Sequence, residues 1–384
     1  MQNSSKEPTP SKTQISSKTQ TSSKAQTNSN LLRRTLDVEA PLALRLALAL
    51  GMLALLLFIS FVVTMAIGAV DVPLGVTASI VLQQMGIPLG ATATDVQWSV
   101  ISHVRLPRVL TAALVGAALA LAGATMQGIF RNPLADPGII GVSAGGALGA
   151  VIAIHFGIRS LHYLATPALA FLGALAAVML VYVLAATRGV DPLTTMILAG
   201  VAVQAFIGSI ISAVLTLTAN VNSMREIVFW LTGSLGARSW THVQLILPFI
   251  VVGSLLLLFF ARDLNLMSLG EDTARSMGVD VRRVRLIMLT LAALITAVAV
   301  AVSGIIGFVG LVVPHMVRLI VGPDHRIVLP TSLLTGAVLL TWADFGSRLL
   351  LRPQELRVGL ITAFFGAPFF LYLLYRSKRQ GNIL

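Results

Sequence analysis

The stretch that decides the fold is RNPLADPGIIGVSAGGALGAV, residues 131–151, which turns sharply and then runs into small residues. Pro133 and Pro137 push the residues before them out of the helical region, so the chain must turn between two helices at this point. The positions that follow are mostly Gly, Ala and Ser. A helix of this kind can be approached closely on any side, which fits either tight packing alone or a crowded position beside a pathway.

The composition of the 384 residues indicates a membrane protein. Hydrophobic residues make up 56% and charged residues 11%, and the mean hydropathy is +0.88, which is more apolar side chain than one soluble core of this length can bury. The runs 46–65, 245–261 and 286–302 approach or reach the length that a spanning helix needs. We therefore expect an all-α polytopic membrane protein with about ten transmembrane helices.

The N-terminal segment 1–40 differs from the rest of the chain. It contains the hexads SKTQIS, SKTQTS and SKAQTN, which space Lys12, Lys18 and Lys24 evenly among polar residues. This composition predicts a disordered cytoplasmic tail ahead of a membrane domain at 41–384, with binding of the lysines to anionic membrane lipid as a weaker alternative. The first apolar run follows this long tail, so we interpret it as the first transmembrane helix and not as a cleaved secretory signal. With the tail in the cytoplasm, an even number of spans places the C-terminus in the cytoplasm as well.

Arginines lie at both predicted faces of the membrane. Lys and Arg are usually concentrated in the inner loops. This tendency does not account for the arginines on the predicted outer face. This outer set comprises Arg105, Arg108, Arg159, Arg225, Arg238, Arg348, Arg352 and Arg357.

A polar segment, RDLNLMSLGEDTARSMGVDVRRVR at 262–285, interrupts the apolar pattern on the predicted inner face. Ser268 and Glu271 have capping-box spacing, and Gly278 is a stop signal. Ala274 and Met277 would supply a small apolar edge. The pattern predicts either a short amphipathic helix near 264–280 or a solvated loop. A helix with such an edge can dock into a groove on a cytoplasmic partner.

A second unusual segment covers 304–330. Pro314 predicts a local bend, and glycines at a spacing of three residues predict a stripe of close helix contact. His315 has no second ligand at metal-binding spacing, so we interpret it as a hydrogen-bonded structural residue. Arg318 is expected to extend to the inner surface. The three glycines are Gly304, Gly307 and Gly310.

Four stretches together resemble the iron-siderophore and vitamin B12 permease family of ABC importers. They are RLPRVLTAALVGAALALAGATMQGIFRNPLADPGIIGVSAGGALGA, LGEDTARSMGV, GFVGLVVPHMVRLIVGPDHRIVLP and GAPFFLYLL. The resemblance covers nearly the whole chain after the tail. It implies a ten-helix subunit of the bacterial cell (inner) membrane that pairs with a second permease subunit around a central path. It also implies two cytoplasmic ATP-binding subunits and an extracytoplasmic substrate-binding protein as partners.

The resemblance also implies roles for individual residues. Segment 269–279 corresponds to the coupling helices that rest on the ATPase. The outer arginines Arg105, Arg108 and Arg348 correspond to those that receive acidic groups of the binding protein. Arg357 stands where the family usually has proline, and we predict that it adds to this docking. The coupling residues are Leu269, Gly270, Glu271, Ala274, Arg275, Met277 and Gly278.

The central path is expected to be lined by the second helix and the small-residue helix. A weakly polar path fits a bulky metal chelate, and a ferric siderophore is the first expectation, with cobalamin and haem as alternatives. We expect no metal or cofactor in this chain, since ATP would be used by the partner ATPase. The expected path residues are Thr125, Met126, Gln127, Ser143 and Gly146.

Two other classes fit the sequence less well. An ion-coupled secondary transporter is expected to place ionisable residues at mid-membrane, at a cost of roughly 2.5–3.5 kcal/mol each. Four aspartates of this chain are candidates for such a role, but they lie near predicted helix ends. The chain has no cysteine and its six histidines do not cluster in sequence, so we do not expect an enzyme. We also expect no nucleic-acid partner. These aspartates are Asp136, Asp191, Asp263 and Asp344.

Overall fold

The computed structural model describes residues 42–68, 71–84, 86–87, 93–185 and 192–379. The predicted tail at 1–40 lies outside these ranges. Contacts divide the chain into an N-terminal unit, Met1–Leu48, and a main unit, Ala49–Leu384. The contacts described below lie within the main unit.

Helices make up all the regular secondary structure of the described ranges. A π turn spans Val100–Arg105, and 3-10 turns span Pro137–Ile140 and Ile158–Ser160. The helices are α1 (Leu42–Ala66), α2 (Leu74–Gln84), α3 (Asp95–Ser99), α4 (Leu106–Phe130), α5 (Val142–His155), α6 (Ala165–Ala185), α7 (Pro192–Leu217), α8 (Val221–Leu231), α9 (Trp240–Phe259), α10 (Ala261–Ser268), α11 (Glu271–Ser276), α12 (Val281–Ser303), α13 (Val309–Val321), α14 (His325–Leu349) and α15 (Val358–Arg379).

The helix lengths support a protein that crosses the membrane several times. Within the described ranges, seven helical segments are long and apolar enough to span a bilayer, and four more apolar helices are shorter. The prediction of an all-α polytopic membrane protein is thus confirmed. The count of about ten spans and the cytoplasmic position of both termini stay predictions.

Helix α4 occupies the core of the bundle. Nearly all of its side chains are buried, and it packs against α9, α12, α13 and α14. Two of these contacts bring backbones together: a Cβ on Gly116 would overlap the carbonyl of Gly336, and a Cβ on Gly123 would overlap the backbone of Gly310. Small residues at these crossings allow the helices to approach more closely than Leu or Ile would.

The opening turn and the helix after it form as predicted. Arg131 ends α4 in the left-handed region with φ 48°, and the Asp136 carboxylate accepts a hydrogen bond of 2.7 Å from the Gly138 N–H. In α5, an added Cβ at Gly145 would overlap the carbonyl of Gly173, and one at Gly149 would overlap the carbonyl of Leu169. The small residues of α5 therefore allow close packing against α6 within this chain, which favours the first of the two alternatives.

The predicted stripe of three glycines is wrong as a helical feature. Helix α12 ends at Ser303, and Gly304 has φ 70°. The chain stays non-helical until α13 begins at Val309. Gly310 alone lies within a helix, where it faces α4. The reason is that a glycine in the left-handed region ends the helix before the stripe can form.

Candidate functional site

The predicted coupling segment forms two short helices, α10 and α11, joined at Gly270. Gly270 has φ 127° and Gly278 has φ 88°, so glycine is required on both sides of α11. The predicted stop at Gly278 is confirmed. The predicted capping box is wrong, because Ser268 is the last residue of α10 and its hydroxyl donates to the carbonyl of Asn265 at 2.6 Å.

The apolar residues of this segment divide between a buried and an exposed side. Leu269 is 67% exposed and Met277 is 59% exposed. Ala274 is fully buried in a small cluster with Met267 and Val281, so of the predicted apolar edge only Met277 is exposed. The cluster fixes α11 against the start of α12 and leaves Leu269 and Met277 as the apolar groups that a partner can contact.

Glu271 holds the segment to the membrane helices. Its carboxylate accepts from Arg275 within α11 at 3.0 Å and from Arg285 of α12. The Arg285 side chain is largely buried. Glu271 therefore positions α11, while the exposed Arg275 extends the charged surface beside it.

Asn265 was missed by sequence reasoning, and it ties α10 to α14. Its side-chain oxygen accepts from the backbone N–H of His325 at 2.9 Å and from the Nδ1 position of the same residue at 2.8 Å. Its amide nitrogen donates to Asp324 at 2.6 Å. Asp324 caps α14 by accepting from the Arg326 N–H. The Asp-His pair at the start of an apolar run is the sequence signal for this cap.

Two further arginines fasten α4 at the same end of the bundle. Arg131 donates to the carbonyl of Met267 at the end of α10. Arg318 donates to the side-chain oxygen of Gln127. Arg318 is half-buried and bridges α13 and α4 through Gln127, and its extension to the inner surface stays a prediction.

Acidification tests the Asp324 cap. Partial burial acts to raise the pKa of Asp324, but hydrogen bonds from Arg326 and Asn265 and the charge of Arg326 outweigh it and lower the pKa to about 2. A carboxyl whose folded pKa lies below its unfolded value of about 3.9 stabilises the fold above that value and loses this contribution as pH falls toward 2. We expect thermal unfolding midpoints between pH 5 and pH 2 to fall less steeply in Asp324→Asn than in the unchanged protein. Parallel curves would contradict this assignment.

The opposite end of α14 carries a buried ion-pair cluster. Asp344 is 1% exposed and binds Arg108 of α4 at 2.9 Å and Arg348 at 3.3 Å. Arg108 also binds Glu355 at 3.0 Å, and Glu355 is half-exposed. The cluster therefore joins α4, α14 and the loop before α15.

The arginines expected to receive the binding protein are engaged within the chain. Arg105 is buried and donates to the carbonyls of Met65 and Ala66. Arg348 is largely buried and donates to the carbonyl of Thr64 at 3.0 Å. The structure thus does not place Arg105 on the surface, because these carbonyls at the end of α1 take up its donors. Arg357 lies closer to solvent, at the start of α15.

The expected path residues lie mostly inside the bundle. Thr125, Met126 and Gln127 are buried, and the Gln127 amide donates to the carbonyls of Gly310 and Leu311 at 3.2 and 3.1 Å. Gly146 is buried against Val300 and Ala170. In the single chain these four residues are buried in the bundle, and their assignment to the central path between two permease subunits stays a prediction. Ser143 is half-buried.

Among the described residues, no cluster of three or more His, Asp or Glu side chains has a geometry that could hold a metal ion.

A bundle of apolar helices with a surface segment at one end and buried arginines at the other defines a class, that of polytopic membrane proteins. Residues 55–376 match the FecCD transport family, and the chain belongs to this family. The FecCD transport family is a family of ABC importer permeases, not of enzymes, and this chain is one of these integral, multi-pass membrane proteins.

The chain is similar to characterised permeases along most of its length. The cobalamin import system permease protein BtuC of Halobacterium salinarum is 47% identical over 294 residues, 76% of each chain. The hemin transport system permease protein HmuU of Yersinia pestis is 43% identical over 298 residues, 76% of this chain and 87% of the relative. The Fe(3+) dicitrate transport system permease protein FecD of Escherichia coli is 42% identical over 297 residues, 76% and 92% of the two chains.

A solved structure has the same fold. It is an inward-facing conformation of a transporter assigned to the metal-chelate type of ABC transporters, and it superposes with a TM-score of 0.74 at 34% identity. The match covers 85% of this chain and 98% of that one.

Proposed function

We propose that this chain carries a bulky metal chelate, foremost a ferric siderophore, across the bacterial cell (inner) membrane. The observation that supports this most directly is the family match over 55–376 together with relatives named for hemin and for ferric dicitrate. In this proposal the chain pairs with a second permease subunit, engages two ATP-binding subunits and receives its cargo from an extracytoplasmic binding protein.

Cobalamin is the second candidate cargo. The observation that favours it is the 47% identity to a cobalamin import permease. Hemin follows, with 43% identity to a hemin permease. All three cargoes are large chelates that a wide, weakly binding path can pass, so the selectivity would lie mainly in the binding protein.

The exposed coupling segment is the proposed contact with the ATP-binding subunits. Leu269 and Met277 offer apolar groups at the surface, and Arg275 adds a cation beside them. Their backbone is held by the Glu271–Arg285 pair and by Asn265. A small apolar edge on a rigid support is the surface that docks into a groove of another protein.

Reconstitution tests the proposed function. The chain, its ATP-binding subunit and its binding protein are placed in liposomes, and ATP-dependent uptake of a labelled ferric siderophore is followed, with cobalamin and hemin in parallel. Uptake of the siderophore that requires the ATP-binding subunit supports the proposal. Preferred uptake of cobalamin or hemin would show that this compound, and not a ferric siderophore, is the cargo. Uptake driven by an ion gradient without the ATP-binding subunit would overturn the importer mechanism.

Met277→Asp tests the coupling surface. A carboxylate in place of an apolar contact would be buried without a partner when the ATP-binding subunit docks, at a cost of about 1–3 kcal/mol. We expect the affinity for the ATP-binding subunit, measured by titration in nanodiscs, to fall about tenfold. Arg283→Gln is the control, because Arg283 is highly exposed at the start of α12. Equal effects of the two changes would contradict a specific role for Met277.

A further inference from the structure

One side of α12 stays exposed between α6 and α9. Both of these helices pack against α12, yet residues of α12 that recur every three or four positions from 282 to 294 are exposed or half-buried. This spacing places them on one side of the helix. The side begins with two arginines and continues with mostly apolar residues. We call it the α12 stripe, and its members are Arg282, Arg283, Leu286, Ile287, Thr290 and Leu294.

The end of the α12 stripe at Leu294 borders a hollow between α9 and α12. The hollow has a volume of about 290 Å³, and the side chains that line it are all apolar. Gly253 brings α9 close to α12 here, because a Cβ on this glycine would overlap the Ile295 side chain. A hydrocarbon chain is the ligand that such an apolar surface favours. The lining includes Phe249, Val252, Leu256, Leu291 and Leu294.

The other end of the α12 stripe carries cations with donors to spare. Within the described part of the chain, no carboxylate lies at ion-pair distance from Arg282. Arg283 lies 3.0 Å from Asp280, but both side chains are exposed, and water or another anion readily replaces a partner of this kind. The Nε–H of Arg285 is buried and has no hydrogen-bond partner among the described residues. The Tyr182 hydroxyl of α6 lies within electrostatic range of Arg282 and Arg285. An anion would therefore be favoured at this end.

The distance between the cations and the hollow matches one leaflet of a membrane. Leu294 follows Arg283 by eleven residues, which is about 16 Å along a helix. The hydrocarbon core of a bilayer is about 30 Å thick, so that one leaflet contributes about 15 Å. A phosphate at Arg283 would thus leave an acyl chain just long enough to reach the hollow. The coupling segment directly precedes α12, so this leaflet is the one on its side.

We propose that the α12 stripe binds one anionic phospholipid, with its phosphate on Arg282 and Arg283 and an acyl chain in the hollow. Phosphate oxygens accept charge-assisted hydrogen bonds from guanidinium groups. The ATP-binding subunit could reach the arginines, but it could not fill a hollow about 16 Å deeper in the hydrocarbon, which favours a lipid. The inference rests on the proposed function only where it assigns this leaflet to the cytoplasm, the side on which anionic lipids are concentrated.

The experiment measures lipid binding to the purified permease–ATPase complex by native mass spectrometry. Dioleoyl phosphatidylglycerol is the anionic probe, and dioleoyl phosphatidylcholine has the same chains without the net charge. We expect phosphatidylglycerol to bind more tightly, and Arg282→Gln and Arg283→Gln to weaken its binding about fivefold each. The two lysine variants keep the charge and are expected to stay within about twofold. Arg352→Gln removes an exposed arginine beyond the other end of α14 and is expected to change nothing.

Val252→Trp tests the hollow without touching the charges. Val252 lines the hollow and is 56% exposed, so a larger side chain fits there without displacing buried neighbours. We expect phosphatidylglycerol to bind about tenfold more weakly to this variant, because the indole occupies the place of the acyl chain. Val251→Trp is the matched control, since Val251 is 44% exposed on the same helix and lies outside the hollow. Equal weakening by both changes would contradict a chain in the hollow.

The remaining outcomes separate this site from the proposed function. Unchanged phosphatidylglycerol affinity in both glutamine variants would overturn the lipid site. Unchanged lipid binding combined with weaker binding of the ATP-binding subunit to Arg282→Gln would assign the arginines to that subunit and overturn the site as well. ATP-driven uptake by the unchanged complex is measured in parallel in liposomes. Failure of uptake alone, with the lipid pattern as expected, would overturn the importer and leave the lipid site standing.

Discussion

Asp344→Asn is expected to lower the free energy of unfolding by about 3–5 kcal/mol. The Asp344 carboxylate is 1% exposed and lies between the guanidinium groups of Arg108 and Arg348. An amide of the same shape removes the negative charge and leaves two largely buried cations close together. Removing one partner of a buried ion pair lowers the stability by more than the intact pair contributes to it, because the remaining charge stays buried without a counter-charge. Equilibrium unfolding in mixed micelles measures the change.

Glu355→Gln is the matched control for Asp344→Asn. Glu355 binds the same Arg108 at 3.0 Å but is 48% exposed. Water can take its place, so the expected loss is below about 1 kcal/mol. If the two changes lowered the stability equally, burial of the ion pair would not be the cause of the loss, and the cluster would not be the structural centre of its end of the bundle.

Gly145→Val is expected to destabilise the fold by about 3 kcal/mol or more. A Cβ at this position would overlap the carbonyl of Gly173 and approach the Cβ of Ala177 to 2.5 Å. Neither the backbone of Gly173 nor the short side chain of Ala177 can move aside to make room for the added side chain. The yield of monodisperse protein after detergent extraction and its thermal midpoint report the effect.

Gly208→Val provides the comparison, because a Cβ on Gly208 of α7 would meet no atom within 4 Å. Both changes replace glycine by valine inside a helix, so the differences in helix propensity cancel. The Gly208 variant is expected to extract and unfold like the unchanged protein. A similar loss in both variants would show that the contact between α5 and α6 tolerates side chains and that close approach is not the reason for Gly145.

The sequence predicted those features that depend on local chemistry. Pro133 and Pro137 restrict their neighbours directly, so the turn before α5 follows from a few residues. The end of α11 at Gly278 follows from the left-handed conformation that glycine adopts there. The membrane class follows from composition, and the importer family from several long stretches.

The features that sequence reasoning missed depend on partners far along the chain. Arg108 and Asp344 are 236 residues apart, and only the packing of α4 against α14 brings them together. The same packing buries Thr125 and Met126, which look like path residues when α4 is considered alone. Ser268 has the spacing of a capping box, but it is the last residue of α10 and its hydroxyl donates to the carbonyl of Asn265. An arginine in an outer loop therefore identifies a charge but not whether a partner inside the chain already uses it.

Helix α14 connects the two ends of the molecule that matter to the proposed cycle. Its first residue is hydrogen-bonded to Asn265 beside the coupling segment, and its last turns carry Asp344 and Arg348. A small rotation of its inner end would shift the carboxylate to which Arg108 is bound. The binding protein and nucleotide would then act on one equilibrium from opposite sides of the membrane, and each would change the affinity for the other by the same factor.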